Sequence, residues 1–212
     1  QGLRIFNTSF YQAPGRLNIF DEHSFKVILD YAHNPAAIKT LTEMVTRFDV
    51  SGVRRLVMAI PGDRRDEDAV DAAKIVAQHY DYFLLKSDDN PRGRAPDELP
   101  KLIKATLMDE GVDESRIQII VSEEEAVQKA LEDSESGDLL VVLGDEITRC
   151  WKQIIHFGDA PEAKPAQEKA IEKPTKKSAE SIEHSFKLEE GQSLVHDDRG
   201  VRLVVERDED SD

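Results

Sequence analysis

The sequence predicts an α/β domain, a Rossmann-like, doubly wound, mostly parallel six-stranded sheet, with a small C-terminal β appendage. Three observations predict it. Short apolar runs without polar alternation recur five times up to residue 157, and each precedes a segment whose apolar residues are spaced by three and four. Beyond Gly158 large apolar side chains become sparse. Near-continuous apolar strands suit a parallel sheet buried on both faces, and a helix after each strand supplies the cover.

The elements follow in order. Leu17 to Phe20 reads as an antiparallel strand, because Asp21 to Ser24 is turn-like and too short for a crossover. Phe25 to Leu29 is the first parallel strand, and Pro35 to Phe48 its helix, with Ile38, Leu41, Val45 and Phe48 on one face. Arg55 to Ile60 precedes a helix over Asp66 to Tyr80, with Val70, Ala73 and Val76 or Ala77 on one side. Tyr82 to Leu85 precedes Asp97 to Met108, where Leu99, Leu102, Ile103 and Thr106 keep helical spacing. Arg116 to Val121 precedes Glu123 to Asp133, and Leu139 to Leu143 precedes Glu146 to Phe157, packed by Trp151, Ile154 and Ile155.

The remainder divides in two. Residues 158–183 form a linker, partly disordered, rich in Ala, Pro, Glu and Lys without a period that would bury a face. Residues 184–212 are expected to form a small hairpin or three-stranded flap from His184 to Leu188 and Gly200 to Glu206, ending in an acidic tail. Glu189-Glu190-Gly191 and Asp197-Asp198-Arg199-Gly200 supply turns. A solvated tail without function is the simpler alternative.

The 212 residues carry 43 acidic and 28 basic side chains, a formal charge of −15. That balance argues against nonspecific nucleic-acid or anionic-membrane binding, since phosphates would be repelled before contact. From Gly158 onward 15 acidic and 9 basic residues contribute −6, leaving −9 on the first 157. Cys150 stands alone, which together with a start lacking a signal-like segment points to the cytoplasm. No apolar run approaches the roughly 20 residues of a membrane span. The sequence begins at Gln1 without Met, so a fragment of a longer protein is expected.

In a doubly wound sheet the functional loops leave the C-terminal strand ends. Here they are Asp30 to Pro35, Pro61 to Asp68, Ser87 to Arg94 and Gly144 to Glu146, so the unusual polar clusters converge on one rim. Before a helix N-terminus, His33 and Asn34 can donate to phosphate and Asp30 can accept from ribose hydroxyls. Equally, Asn34 can simply cap the helix and His33 lie satisfied at the surface. Asp88, Asp89, Asp145 and Glu146, if brought together, make a negative pocket for a guanidinium or ammonium, and Arg92 can bind a carboxylate. As turn and cap residues they need no ligand. Arg64 and Arg65 can meet phosphates, although capping by Asp66 to Asp68 accounts better for that charge run. The sequence contains no P-loop and no Gly-x-Gly-x-x-Gly fingerprint, and its six His residues form no metal-ligand motif.

Pro14-Gly15-Arg16-Leu17-Asn18 followed by Val27 to Pro35 (VILDYAHNP) resembles the start of the C-terminal domain of the Mur ligase superfamily, ATP-dependent amino-acid and peptide ligases, over about residues 14 to 157. Gly62 to Asp68 (GDRRDED), Gly93-Arg94-Ala95-Pro96 and Gly144 to Trp151 resemble the cyanophycin synthetase branch. Asp89-Asn90-Pro91-Arg92 instead matches the substrate motif of the diaminopimelate-adding muramyl ligases. The resemblance implies that Arg16 contacts adenosine at a hinge, Asp30 the ribose, and His33 with Asn34 the phosphates of ATP. It implies that Asp88, Asp89, Asn90, Arg92, Asp145 and Glu146 surround the substrate amino acid, and that Mg2+ is held mainly by a central P-loop domain upstream.

The implied reaction phosphorylates a carboxylate to an acyl phosphate, which the amino group of arginine attacks on the β-carboxylate of aspartate in a polyaspartate-type acceptor. A muramyl ligase would use a peptide acceptor and another amino acid. Without the upstream P-loop and ATP-grasp domains the fragment is expected to be inactive. A noncatalytic binding module of the same fold is the alternative from a different class, and a homo-oligomer is left open.

Overall fold

The computed structural model describes residues 10–158 and two further paired strands, 192–197 and 200–205. One six-stranded sheet forms the centre. Its strands are β1 (Asn18–Phe20), β2 (Lys26–Asp30), β3 (Arg54–Met58), β4 (Tyr82–Leu85), β5 (Ile117–Ile119) and β6 (Leu139–Leu143), in spatial order β1-β2-β6-β3-β4-β5. Only β1 runs antiparallel, pairing Asn18 with Leu29 and Phe20 with Val27. The other four pairings are parallel. All five residues of β6 are buried, as its Leu-Leu-Val-Val-Leu composition requires of a strand covered on both sides.

Helices α1 (Pro35–Val45), α2 (Asp66–Ala77) and α3 (Glu98–Asp109) cover one face, burying Ile38, Ala73 and Ile103 against Ile28, Met58, Phe83 and Val141. Helices α4 (Glu123–Glu132) and α5 (Ile147–His156) cover the other, burying Val127, Leu131, Trp151 and Ile154 against Val27, Val57, Leu84 and Val142. Alternate strand residues thus face opposite helix layers, the period of two that a pleated strand imposes. The loop after β6 runs to the α5 face, whereas its neighbours β2 and β3 send theirs to the α1 and α2 face. Such divergence opens a crevice at the C-terminal strand ends.

The outer strands form a separate antiparallel pair, β7 (Gln192–Asp197) with β8 (Gly200–Val205), in which Asp197 lies opposite Gly200. The strand expected over His184 to Leu188 lies outside the described residues. Only two residues separate Asp197 from Gly200, the loop length that favours a tight hairpin. The expected linker over 159–183 likewise lies outside the described residues.

Candidate functional site

The crevice is lined by Tyr31, Ala32 and His33 after β2, Ala59 and Pro61 after β3, Lys86 and Asp88 after β4, and Leu143 at the end of β6 with Gly144 and Asp145 beyond it. Four loops distant in sequence thus supply its walls.

The β2 loop is held from both sides. The Tyr31 amide donates to the Gly15 carbonyl at 2.8 Å, and the Gly144 amide to the Asp30 carbonyl at 3.0 Å. One Asp30 carboxylate oxygen accepts from the Leu17 amide at 2.8 Å, fastening a turn in which Gly15 and Leu17 have φ of +68° and +50°. Burial pushes the Asp30 carboxyl up, more than the Leu17, Ala32 and Tyr31 amides and the Arg16 charge pull it down. Arg16 is exposed beside this turn. The His33 ring meets the Tyr31 carbonyl through Nδ1 at 2.9 Å and lies 4.9 Å from the Tyr31 ring. With the proton on Nδ1, Nε2 is left as the outward nitrogen. Asn34 caps α1, its Oδ1 accepting from the Ala37 amide at 3.0 Å with Pro35 next in the chain.

On the acidic side two carboxyls come together. Asp88 is buried, and its carboxyl meets that of Asp145. Burial pushes the Asp145 carboxyl up, and the hydrogen bond and charge of Asp88 push the same way, opposed by the Asp89 amide and the Lys86 charge. The Asp89 amide donates to Asp145 at 3.2 Å, but the Asp89 side chain turns to Arg149 at 2.7 Å. Asn90 folds the loop: its amide donates to Asp88 at 2.9 Å, and its Oδ1 accepts from the Arg92 amide at 3.1 Å. The Arg92 guanidinium pairs with Asp63 at 2.5 Å, and 3.9 Å separates it from Asp88. That hydrogen bond holds the Asp63 carboxyl below the usual range. The Glu146 side chain is exposed, outside the cleft lining. His33, Asp88 and Asp145 therefore line the cleft, Asp30 lies beneath its β2 wall, and Asp89, Asn90, Arg92 and Glu146 flank it.

The loop after β3 is tied down as well. Arg94 donates to the Gly62 and Arg64 carbonyls, each at 2.9 Å, and to Asp66 and Glu98, each at 2.7 Å. Asp68 pairs with Arg65 at 2.8 Å, a capping arrangement at the start of α2. A Cβ at Gly62 would stand 2.1 Å from the Pro91 carbonyl oxygen, so glycine there lets the two loops touch.

Sequence reasoning missed the most buried charges. Lys86 and Glu123 form an ion pair of 2.9 Å with side chains 1% and 0% exposed. Glu123 also accepts from the Asp145 amide at 2.7 Å, the Glu146 amide at 3.1 Å and the Arg149 guanidinium. Burial pushes its carboxyl up, but the Lys86 charge and these donors outweigh that and hold it at about 2. Cys150 lies against the same carboxylate, and burial pushes its thiol up. A lysine directly after the apolar run Tyr82 to Leu85, at the functional end of a central strand, was the available signal. Glu123 had none, because a Ser-Glu-Glu-Glu helix start looks like ordinary capping.

With this geometry in place, comparison with known proteins is informative. The family described as Mur ligase, glutamate ligase domain, matches residues 15–146. A cyanophycin synthetase from Crocosphaera subtropica is 39% identical over 149 residues, 70% of this chain and 17% of that protein. A UDP-N-acetylmuramoyl-L-alanyl-D-glutamate--2,6-diaminopimelate ligase from Aquifex aeolicus is 27% identical over 131 residues, 62% of this chain and 26% of that protein. Among solved structures, E. coli FolC in complex with DHPP and ADP has a TM-score of 0.52 at 23% identity, covering 68% of this chain and 32% of that one, a likeness of fold. The chain thus spans about a sixth of the length of the cyanophycin synthetases it matches.

Proposed function

This chain belongs to the Mur ligase family as its glutamate ligase domain, and on that premise we propose that it serves an ATP-dependent ligase of the cyanophycin synthetase kind, joining L-arginine to the β-carboxylate of aspartate. The observation that carries the amino-acid assignment is the Asp88–Asp145 pair in the cleft wall. Two adjoining carboxylates, one backed by the Asp89 amide, suit a planar guanidinium that can donate to both. The 39% identity to a cyanophycin synthetase supports the same reading.

In the proposed reaction ATP transfers its γ-phosphoryl group to the acceptor carboxylate. The α-amino group of arginine then attacks the acyl carbon, the C–N bond forms, the bond to phosphate breaks and the amine loses a proton. This domain would hold the arginine and present Arg16, Asp30 and His33 to the nucleotide. Their fit differs. Arg16 is exposed at the turn that Asp30 fastens, and His33 offers Nε2 outward, which must carry a proton to bond a phosphate oxygen. Asn34 already gives its carbonyl oxygen to the cap. The accompanying Mg2+ is assigned to an upstream P-loop domain, without which the chain would not ligate alone. Among the described residues no group of three or more His, Cys, Asp or Glu could hold a metal ion.

One observation favours a second reading. The Asn90 turn presents Arg92 beside the cleft, and a substrate carboxylate that displaced Asp63 could pair with it, as a diaminopimelate-adding muramyl ligase would require. The test is ATP consumption by the protein carrying this chain with its upstream domains. ADP release that depends on arginine and a polyaspartate-type acceptor is expected. Release with diaminopimelate and a muramyl peptide, and none with arginine, would assign the second reading instead.

A further inference from the structure

The Lys86–Glu123 pair demands a reason beyond stability. A buried ion pair roughly breaks even against an apolar pair of the same volume, so burial of two charges alone does not explain its presence. Its position is more informative. Lys86 follows β4 and lines the cleft beside Asp88 and Asp145, while Glu123 begins α4 and accepts the two amides that open the loop between β6 and α5. Arg149 from α5 joins the same carboxylate and reaches Asp89. One carboxylate therefore gathers the elements on which both members of the acid pair are mounted.

We propose that Lys86 and Glu123 are positioning residues that set the charge of the cleft: Glu123 orients the Asp145 turn toward Asp88, and the Lys86 ammonium it restrains stands as a fixed countercharge to that acid pair. The inference deepens, and rests on, the reading of the cleft as a cation site. Two adjoining carboxylates disfavour joint ionisation, and a nearby ammonium offsets that repulsion. An ammonium free to move would instead occupy the place of the substrate guanidinium. Glu123 prevents this by holding the Lys86 ammonium at 2.9 Å. The other titratable and charged groups around the cluster are Tyr31 and His33 on the β2 loop, Asp89 paired with Arg149, Arg92 paired with Asp63, and the buried Cys150 thiol.

Two single variants have opposite expected signs. In the full chain, carboxyl carbon NMR titration should show Asp145 protonating at higher pH in Lys86→Met, which loses the countercharge, and at lower pH in Glu123→Gln, which loses a neighbouring anion. Each shift should approach about one pH unit, a tenfold change in the proton equilibrium. A merely structural role would loosen the turn and move both variants the same way. Opposite shifts uphold the proposal; unmoved or parallel shifts overturn it, and if one variant fails to fold the sign of the other still decides.

In the protein with its upstream domains, Lys86→Met should raise the KM for arginine increasingly as the pH is lowered, by up to about tenfold for a shift of about one pH unit, leaving that for its neutral isostere citrulline unchanged. Equal changes for both substrates would also overturn the proposal. Should the wild-type protein ignore arginine, the substrate reading fails, and the titration still judges the charge-setting role separately.

Discussion

Replacing Glu123 with Ala should cost about 3 kcal/mol or more of folding stability. Two routes give that size. The Glu123 side chain is 0% exposed and its Lys86 partner 1%, and removing one member of a buried pair typically costs about 3–5 kcal/mol, because the survivor stays buried without a countercharge. Independently, lowering a carboxyl from 4.5 to about 2 corresponds to about 3 kcal/mol. The folded value is depressed, so this contribution is complete above about pH 4.5 and disappears as pH falls toward 2. For a chain of this size the loss corresponds to a Tm lower by roughly 6–12 °C. Calorimetry and urea unfolding at pH 7 and pH 3 provide the assay, with Lys86→Met/Glu123→Gln as control. The double variant should recover much of the loss, since neither Lys86 nor Glu123 is left buried without the other. A loss below about 1 kcal/mol at pH 7, or a double variant worse than Glu123→Ala, would refute the reasoning.

Three further outcomes are expected. Asn34→Ala should cost about 1 kcal/mol through the α1 cap, with Asn34→Ser restoring stability in urea unfolding; a nucleotide contact through Asn34 would show as an ATP KM that serine does not rescue. Gly62→Ala should displace the Pro91 backbone, 2.1 Å from the added Cβ, costing roughly 1–3 kcal/mol and raising amide exchange from 88 to 94; unchanged exchange would contradict the close contact. Asp145→Asn should weaken arginine binding yet raise stability slightly at pH 7. The folded carboxyl is raised by burial and by Asp88, so its ionised form costs stability above that raised value and the cost vanishes below the ordinary one. A variant less stable at pH 7 and equally so at pH 3 would contradict that sign.

Much of the architecture was readable from the order of residues. Strand and helix alternate because local periodicity reports which faces must be buried, and Val27 to Leu29 or Leu139 to Leu143 leave no polar side to expose. Boundaries moved by a few residues: the helix expected to reach Tyr80 ends at Ala77, although Tyr80 stays buried against Phe83. Periodicity marks which side chains pack, whereas the helix ends where the backbone ladder ends. The rim was legible too, since strand ends in a doubly wound sheet carry the functional loops.

Residue order thus sufficed for the fold class, the family and the four loops that could form a site. Folding in three dimensions chose among the side chains on those loops. It joined Asp88 to Asp145 across 57 positions, diverted Asp89 to Arg149 and Arg92 to Asp63, and buried Lys86 against Glu123. The physical reason is that hydrophobic periodicity is local, while the partner of a charge depends on which strand ends the sheet order brings side by side. A lysine and a glutamate 37 residues apart, each ordinary in its own segment, acquire their role only where β4 and the start of α4 meet the β6 loop.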